Sequence, residues 1–274
     1  ECLASVFESD YPNYLVLVVD NASTDGSPEY LKRRFPQVEM IVNASNLKIA
    51  AGYNVGIQWA LTKDAAYVLL LNNDIVIDEQ MIRKMVTCAE ADETIGIVAP
   101  KVLCYAQKNR IWMLGARRRG LWPVPRPVGW KQWDEGQFTV PLEMDWVPFC
   151  AALIKRSIPE TIGLLDPQFT YTFEDMDYCW KVWNAGYRVV CEPRARLWHK
   201  ISLSDQKDPA GIAYLRARSR GVFFRRHPYG SCPWLATGYV WAGAIWRAAR
   251  NVLRGDSLLA ERALRGLYDG YFKE

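Results

Sequence analysis

The sequence predicts an α/β fold: a doubly wound, mostly parallel sheet followed by a helical, basic C-terminal extension. Three observations carry this. Short runs of β-forming residues at 15–19, 38–42 and 67–71 alternate with helical stretches at 28–34 and 57–62, the spacing of βαβ units that build a parallel sheet. The run at 68–71 is apolar throughout and leads into Asn72-Asn73-Asp74. Such a run is the signature of a buried parallel strand, whose C-terminal tip is where open α/β sheets receive ligands. Beyond about residue 204 no further strand signal occurs, and the composition turns helical and arginine-rich. With 274 residues, the chain can form one large α/β domain with an appendage, expected at 1–204 and 205–274.

In chain order, residues 1–9 read as a helix that Tyr11-Pro12 breaks, because the residue before proline disfavours helical backbone. Asp20 closes the strand 15–19, and a polar turn over 21–28 leads into a helix at Pro28-Glu29, proline being suited to a first helical turn. The segment 43–56 reads as a loop entering the helix at 57–62; a helix at 80–91 and a strand at 97–100 follow. Periodicity is then lost through a Trp-, Pro- and Arg-rich stretch at 111–133, the pattern of a long functional loop. A strand is expected at 144–155, a helix at 175–185 stopped by Gly186, and a last strand at 188–192 ahead of Leu197-Trp198-His199.

The formal net charge is only +4, yet no Asp or Glu lies between Lys101 and Trp133, or between Pro209 and Gly255. Two basic stretches without acids point to an anionic partner. No nucleic-acid-binding motif accompanies them, so nucleic acid is not expected. Seven cysteines without a C-x-x-C pair read as reduced, cytosolic thiols, and no signal peptide is expected at the start. The segment 233–249 holds Trp234, Trp241 and Trp246, is interrupted by glycines and closes on Arg247 and Arg250. It is short for a membrane span and fits a helix lying on an anionic leaflet, or one packed on its own domain.

Asp74, a carboxylate with amide neighbours, suits a hard cation such as Mg²⁺ or Mn²⁺, which can clamp a diphosphate. About a hundred residues later, Glu174-Asp175-Met176-Asp177 forms a second acidic cluster at a helix start. Val18 to Ser27 (Val-Val-Asp-Asn-Ala-Ser-Thr-Asp-Gly-Ser), the loop 46–56, Leu70-Leu71-Asn72-Asn73-Asp74, Glu174-Asp175-Met176-Asp177 and His199 follow one another in a set order and spacing. In that order they resemble the family 2 glycosyltransferases of the GT-A fold, particularly the bacterial rhamnosyltransferase-like members that build surface polysaccharides. The likeness covers 1–204 and starts at the helix after the family's first strand, which is therefore expected to be missing.

The resemblance implies an inverting transfer of a sugar from a nucleotide-diphosphate donor, dTDP-rhamnose or a UDP-sugar, to a hydroxyl of a lipid-linked or glycan acceptor. It places Asp20, Asn21, Asn46, Gly52, Asn54, Asn72 and Asn73 on the donor nucleotide, and Asp74 with His199 on Mg²⁺ or Mn²⁺. It makes Asp175, supported by Glu174, the catalytic base, and sets Trp146, Phe149, Cys150 and Asp177 towards the acceptor. The expected location is cytoplasmic, peripheral at the inner face of the plasma membrane. Plainer readings accompany these roles: Asp20 as an Asx turn, the acids at 174–177 as complements to a helix dipole, His199 as a structural residue. Lys48, Ile49, Phe149 and Lys181 stand where the family has glycine, phenylalanine, glycine and arginine. These departures keep open a catalytically impaired, sugar-nucleotide-binding or scaffold protein at the membrane. A dehydrogenase is excluded, since no G-x-G-x-x-G follows the first visible strand.

Overall fold

The computed structural model describes residues 1–118, 125–200, 208–227 and 233–273. The first half alternates as its pattern predicts: α1 (Cys2–Phe7), β1 (Leu17–Asp20), α2 (Ser27–Arg34), β2 (Glu39–Val42), α3 (Lys48–Thr62), β3 (Tyr67–Leu71), β4 (Ile75–Ile77), α4 (Met81–Glu90) and β5 (Ile95–Cys104). Short strands β6 (Ile111–Met113), β7 (Gly115–Arg117), β8 (Arg126–Val128) and β9 (Leu142–Met144) precede β10 (Ala151–Lys155), α5 (Ser157–Ile162), α6 (Glu174–Asn184) and β11 (Arg188–His199). Three helices follow: α7 (Pro209–Arg226), α8 (Pro233–Leu253) and α9 (Ser257–Phe272).

The principal sheet runs β3-β10-β5-β11-β4, with β6 on β5 and β9 on β11. Strands β3, β5 and β11 share one direction, β11 pairing parallel to β5, while β10 runs against β3 and β5, and β4 against β11. Strands β1 and β2 form a separate parallel pair. Among the described residues no ladder joins that pair to β3; α3 spans both, with Gly56 against Val19, and with Ala50, Ile57 and Ala60 in one buried cluster with Val68 and Leu70. The unbroken apolar run of β3 is thereby explained. Val68 and Leu70 enter that cluster, while Tyr67, Leu69 and Leu71 pack against a second cluster on the other face of the sheet.

Four local expectations need correction. Helix α3 begins at Lys48 rather than at 57; its early turns hold Gly52, Asn54, Val55 and Gly56, weak helix formers that hide it from pattern reading. The stretch 111–133 holds β6 and the antiparallel pair β7 and β8, with 119–124 outside the described residues. The expected strand at 144–155 is split into β9 and β10 around Pro148, which lacks the N–H a ladder needs. Conversely, 188–192 and 197–199 belong to one strand, β11, whose register shifts between Glu192 and Arg196.

The C-terminal helices pack onto the α/β body. Val222, Phe223 and Phe224 of α7, Ala236 and Val240 of α8, and Leu267 and Tyr271 of α9 bury themselves with Phe169, and Phe173, Met176 and Trp180 pack against the same cluster. Helices α7 and α9 approach so closely that a Cβ at Gly266 or Gly270 would collide with the carbonyls of Tyr214 and Arg218. Asp177, buried in α6, ties these layers together, with His227 Nε2 at 2.7 Å and Lys181 Nζ at 2.7 Å.

Candidate active site

The turn 72–74 joins β3 to β4, and β4 pairs with β11 so that His199 stands opposite Ile75. The Lys200 N–H donates to the Asp74 carbonyl at 2.9 Å. This register brings together two residues separated by 125 positions, with His199 Nε2 3.2 Å from Asp74 Oδ1. The His199 ring, and the Asn72 amide beside it, hold the Asp74 carboxyl below the usual carboxylate range. His199 is buried, edge-on to Trp112 at 5.2 Å between ring centroids, and its Nδ1 has no hydrogen-bond partner. Among the described residues no group of three His, Cys, Asp or Glu side chains is assembled to hold a metal by itself. Asp74 Oδ1 and His199 Nε2, facing each other at 3.2 Å, are an oxygen and a nitrogen donor that fit a divalent cation keeping its remaining positions for diphosphate oxygens and water.

The acidic cluster sits at the N-terminus of α6, where Phe173 takes a left-handed φ of 73° and Glu174, Asp175 and Asp177 fill the first turn. Glu174 is 5 % exposed and its Oε2 is unpartnered. Burial, and then the charge of Asp175, raise its carboxyl well above the usual range. Burial likewise pushes Asp175 up to about 6, against the Met176 N–H, the Trp146 indole and the Phe149 backbone, which pull it down. The Met176 N–H donates to Asp175 Oδ1 at 2.7 Å, whereas the indole N–H of Trp146 closes no hydrogen bond of ordinary geometry. Acids present only to complement a helix dipole are exposed and shifted down. Glu174 is enclosed and Asp175 half-buried, and desolvation shifts both up, the surroundings in which a carboxyl is tuned for proton transfer.

A residue that sequence reasoning missed stands between these groups. The hydroxyl of Tyr53, on α3, is 2.5 Å from Asn72 Oδ1 and 3.0 Å from the Phe149 carbonyl. Burial, followed by the charges of Glu174, Asp175 and Asp74 among others, pushes its phenol well above the ordinary value, so it remains a neutral donor. Because Asn72 accepts from Tyr53 through its oxygen, its NH₂ end is left for Asp74. The sequence offered only one hint, the place of Tyr53 between Gly52 and Asn54. Tyr53→Phe is expected to cost about 1 kcal/mol of stability and to weaken Mn²⁺ binding by about tenfold, as removal of an outer partner of a metal ligand does. Calorimetric titration with Mn²⁺ measures this, and unchanged affinity would show that Asn72 holds its orientation unaided.

The residues expected on the donor nucleotide divide into two groups. Asp20, Asn21, Asn46 and Gly52 converge on the tip of β1 and the entry of α3. Asp20 Oδ1 accepts from the Ser23 N–H at 2.9 Å, the Asx-type role open to any aspartate at such a turn. Asn21 accepts from Asn43 Nδ2 at 2.9 Å and reaches the Lys48 carbonyl at 3.4 Å. Gly52 is glycine because a Cβ there would stand 2.9 Å from Asn21 Nδ2. Asn46 Oδ1 accepts from the Lys48 N–H at 2.9 Å, and Lys48 itself takes a φ of 69°, a conformation glycine adopts without strain. Asn72 and exposed Asn73 lie at the β3 tip. Asn54 is a correction: it is buried, its Nδ2 donates to the Leu165 carbonyl at 2.8 Å and its Oδ1 accepts from the Leu165 N–H at 3.0 Å. Both ends of that amide hold the loop before α6, so it is a structural clasp rather than a nucleotide contact.

Of the residues expected on the acceptor side, Trp146 lies beside Asp175. The side chains of Phe149, Cys150 and Asp177 do not face an open site. Phe149 is buried edge-to-face against Tyr178, with ring centroids 6.1 Å apart, Cys150 is buried in the second sheet cluster, and Asp177 is committed to Lys181 and His227. Phe149 serves the site through its backbone, which meets Tyr53 and Asp175. Its ring points into the core, which is how a bulky residue is accommodated here.

Comparison with known proteins shows the family and the fold. The model of the family described as glycosyl transferase family 2 matches residues 1–162. The N-acetylglucosaminyl-diphospho-decaprenol L-rhamnosyltransferase of Mycobacterium tuberculosis is 22% identical over 245 residues, covering 76% of this chain and 73% of that protein. The dTDP-rhamnosyl transferase RfbF of Shigella flexneri is 23% identical over 198 residues, covering 72% of this chain and 64% of that protein. Among solved structures, GalNAc-T7 with UDP, GalNAc and Mn²⁺ superposes with a TM-score of 0.63 at 18% identity, over 86% of this chain and 50% of that one. The mannosyltransferase PcManGT from Pyrobaculum calidifontis, in complex with GDP-Man and Mn²⁺, gives a TM-score of 0.59 at 18% identity, over 99% of this chain and 83% of that one. At such identities the two structures establish the GT-A fold. The family match extends over more than half of the sequence, and the chain belongs to glycosyl transferase family 2 as a rhamnosyltransferase-like glycosyltransferase.

Proposed function

We propose that this chain transfers rhamnose from dTDP-rhamnose, with inversion, to a hydroxyl of a lipid-diphosphate-linked acceptor. The activities for which the mycobacterial and Shigella relatives are named support the donor and acceptor classes. The observation that carries the reading is the meeting, through Tyr53 and Asn72, of the Asp74–His199 contact with the acid pair of α6.

The tip of β1 and the entry of α3 receive the nucleotide, in this reading through Asp20, Asn21, Asn46 and Gly52. Asp175, as a carboxylate, takes the proton of the acceptor hydroxyl while its oxygen attacks the anomeric carbon and the bond to the diphosphate oxygen breaks. A hydroxyl is a weak nucleophile until that proton moves, and a placed base contributes about 10²–10⁴-fold. Glu174, kept neutral, adds no second charge beside the base. A divalent cation held by Asp74 and His199 would neutralise the charge developing on the departing diphosphate. Tyr53 keeps Asn72 turned towards Asp74, and Trp146 offers its free indole N–H beside Asp175. Among the described residues no helix is long and apolar enough to cross a membrane. The lipid-linked acceptor of this reading places the protein's work at the surface of the membrane that carries it.

Release of nucleoside diphosphate from dTDP-rhamnose, UDP-sugars and GDP-sugars, with Mg²⁺ or Mn²⁺ and a lipid-diphosphate-linked acceptor, tests the reading. The expected result is acceptor-dependent release from dTDP-rhamnose in preference to the others. Preference for a UDP-sugar would correct the donor. Folded protein that releases nothing from any of them would leave a sugar-nucleotide-binding or scaffold role.

A further inference from the structure

Helix α8 presents the apolar residues of an amphipathic helix to the outside. At 3.6 residues per turn, positions 235, 239, 242, 246, 249 and 253 stack along one line, with 234, 245 and 252 beside it. All of these are exposed, Trp234 by 70%, Trp246 by 63% and Leu253 by 88%. The inward line is filled by Ala236, Val240 and Ala248, all buried. Beside the outward line stand the exposed Arg250 and, one residue past the helix end, Arg254, whereas Arg247 falls on the line of Val240 and Ala244; the Arg250 guanidinium lies 5.0 Å from the Trp246 ring centroid. Phe272 of α9, 64% exposed and 6.4 Å from Trp241 between ring centroids, widens the apolar face on the other side. Soluble proteins seldom leave so continuous an apolar surface uncovered.

The charges say what covers it. Helix α8 contains no acidic residue, and among the described residues Arg247, Arg250 and Arg254 have no carboxylate partner. Arg247 also stands near Arg220 of α7, whose guanidinium lies 6.0 Å from the ring centroid of Phe173, the residue before the acid pair. A second copy of the chain laid face to face on α8 would set arginine against arginine with no counter-charge from the helix. Anionic headgroups beside an acyl layer match both features at once: the tryptophans suit the boundary, and the arginine border meets phosphates.

We propose that α8 is a membrane-docking element, lying flat on an anionic lipid surface with Trp234, Ile245, Trp246 and Leu253 in the headgroup–acyl boundary and Arg250 and Arg254 on the headgroups. This deepens the lipid-linked acceptor reading, on which its biological sense rests. Val240 and Ala244 share a cluster with Phe173, so docking through α8 holds the start of α6 close to the surface that carries the acceptor.

The test uses the intact chain and vesicles without donor or acceptor, so its outcome is independent of sugar transfer. Sedimentation with phosphatidylcholine vesicles, with and without phosphatidylglycerol, is expected to show binding to the anionic ones that weakens with salt. Arg250→Gln and Arg254→Gln are each expected to lower that binding by about fivefold, equivalent to about 1 kcal/mol per arginine. Trp246→Ala with Leu253→Ala should lower it tenfold or more, and brominated lipids should quench the tryptophan fluorescence of the unsubstituted protein, a readout that needs no variant. The proposal is overturned by absence of binding, by binding indifferent to anionic lipid, by variants that bind as well as the parent, or by unquenched tryptophans. It is also overturned by a lipid-free dimer that Trp246→Ala dissociates, which would make the face an interface between copies.

Discussion

Asp175→Asn is expected to lower sugar transfer by about 10²–10⁴-fold and, at neutral pH, to raise the thermal stability of the protein. The two effects share one cause. Burial pushes the Asp175 carboxyl up to about 6 from an ordinary value of 3.8, so the folded state binds this proton more tightly than the unfolded chain does. Its contribution therefore favours folding below about pH 4, fades as pH rises through about 6, and leaves a buried, incompletely compensated charge at pH 7. Asparagine has nearly the same shape and no charge, so it removes that cost, which a shift of this size puts on the order of 3 kcal/mol, and raises Tm by several degrees. In the parent protein kcat/KM should fall tenfold per pH unit below about 6, as the base becomes protonated, and the residual activity of Asp175→Asn should be flat across that range. Glu174→Gln, which copies the neutral acid, should stay within about tenfold of the parent. Equal losses in both variants would place the proton transfer on the pair rather than on Asp175, and a variant that loses activity and stability together would assign Asp175 to the fold.

Much of this arrangement was written locally in the sequence, and what was not depended on distant partners. The β3 run and its Asn-Asn-Asp end are legible because an apolar strand with a polar tip needs no knowledge of the rest of the chain. Asp74, His199 and Asp175 are legible because each belongs to a motif with its own order. The start of α3 is not, since Asn46 and Lys48 set it through an Asx contact and a left-handed backbone rather than through periodicity. Asn54 looks like a phosphate-loop residue until its partner Leu165, 111 positions away, is known. Phe149 and Asp177 look like acceptor contacts for the same reason: motif spacing names a residue, whereas the direction of its side chain is set by Tyr178, Lys181 and His227. Tyr53 has the converse character, an ordinary helix residue in the sequence that two hydrogen bonds place at the centre of the site. The outward apolar line of α8 was visible in composition as a tryptophan-rich segment, but only packing against α9 and Phe169 decides which of its faces is left outside.

Asp74→Ala is expected to abolish Mn²⁺ binding and to lower transfer by at least 10²-fold, since loss of an outer partner alone costs 10–100-fold at metal sites. The Asp74 side chain is 34% exposed and belongs to a turn rather than to the core, so folding should change little, and circular dichroism melts would report that separately. Its carboxyl is held below the ordinary range by His199 and Asn72. A depressed carboxyl contributes stability above its unfolded value, and that contribution is lost only as pH falls through its lower folded value. Asp74 is therefore ionised throughout the range in which Asp175 titrates, and the acid limb of the rate profile belongs to Asp175. His199→Ala should act in the same direction, and the double variant should be little worse than either single one, because two groups that serve one ion do not act additively. Chelation of the parent protein should reproduce the Asp74→Ala phenotype and leave that variant's residual rate untouched. If Asp74→Ala binds Mn²⁺ as tightly as the parent, or transfers sugar at the parental rate, the Asp74–His199 contact is a structural clasp between β4 and β11, and the charge on the departing diphosphate must be met by other groups.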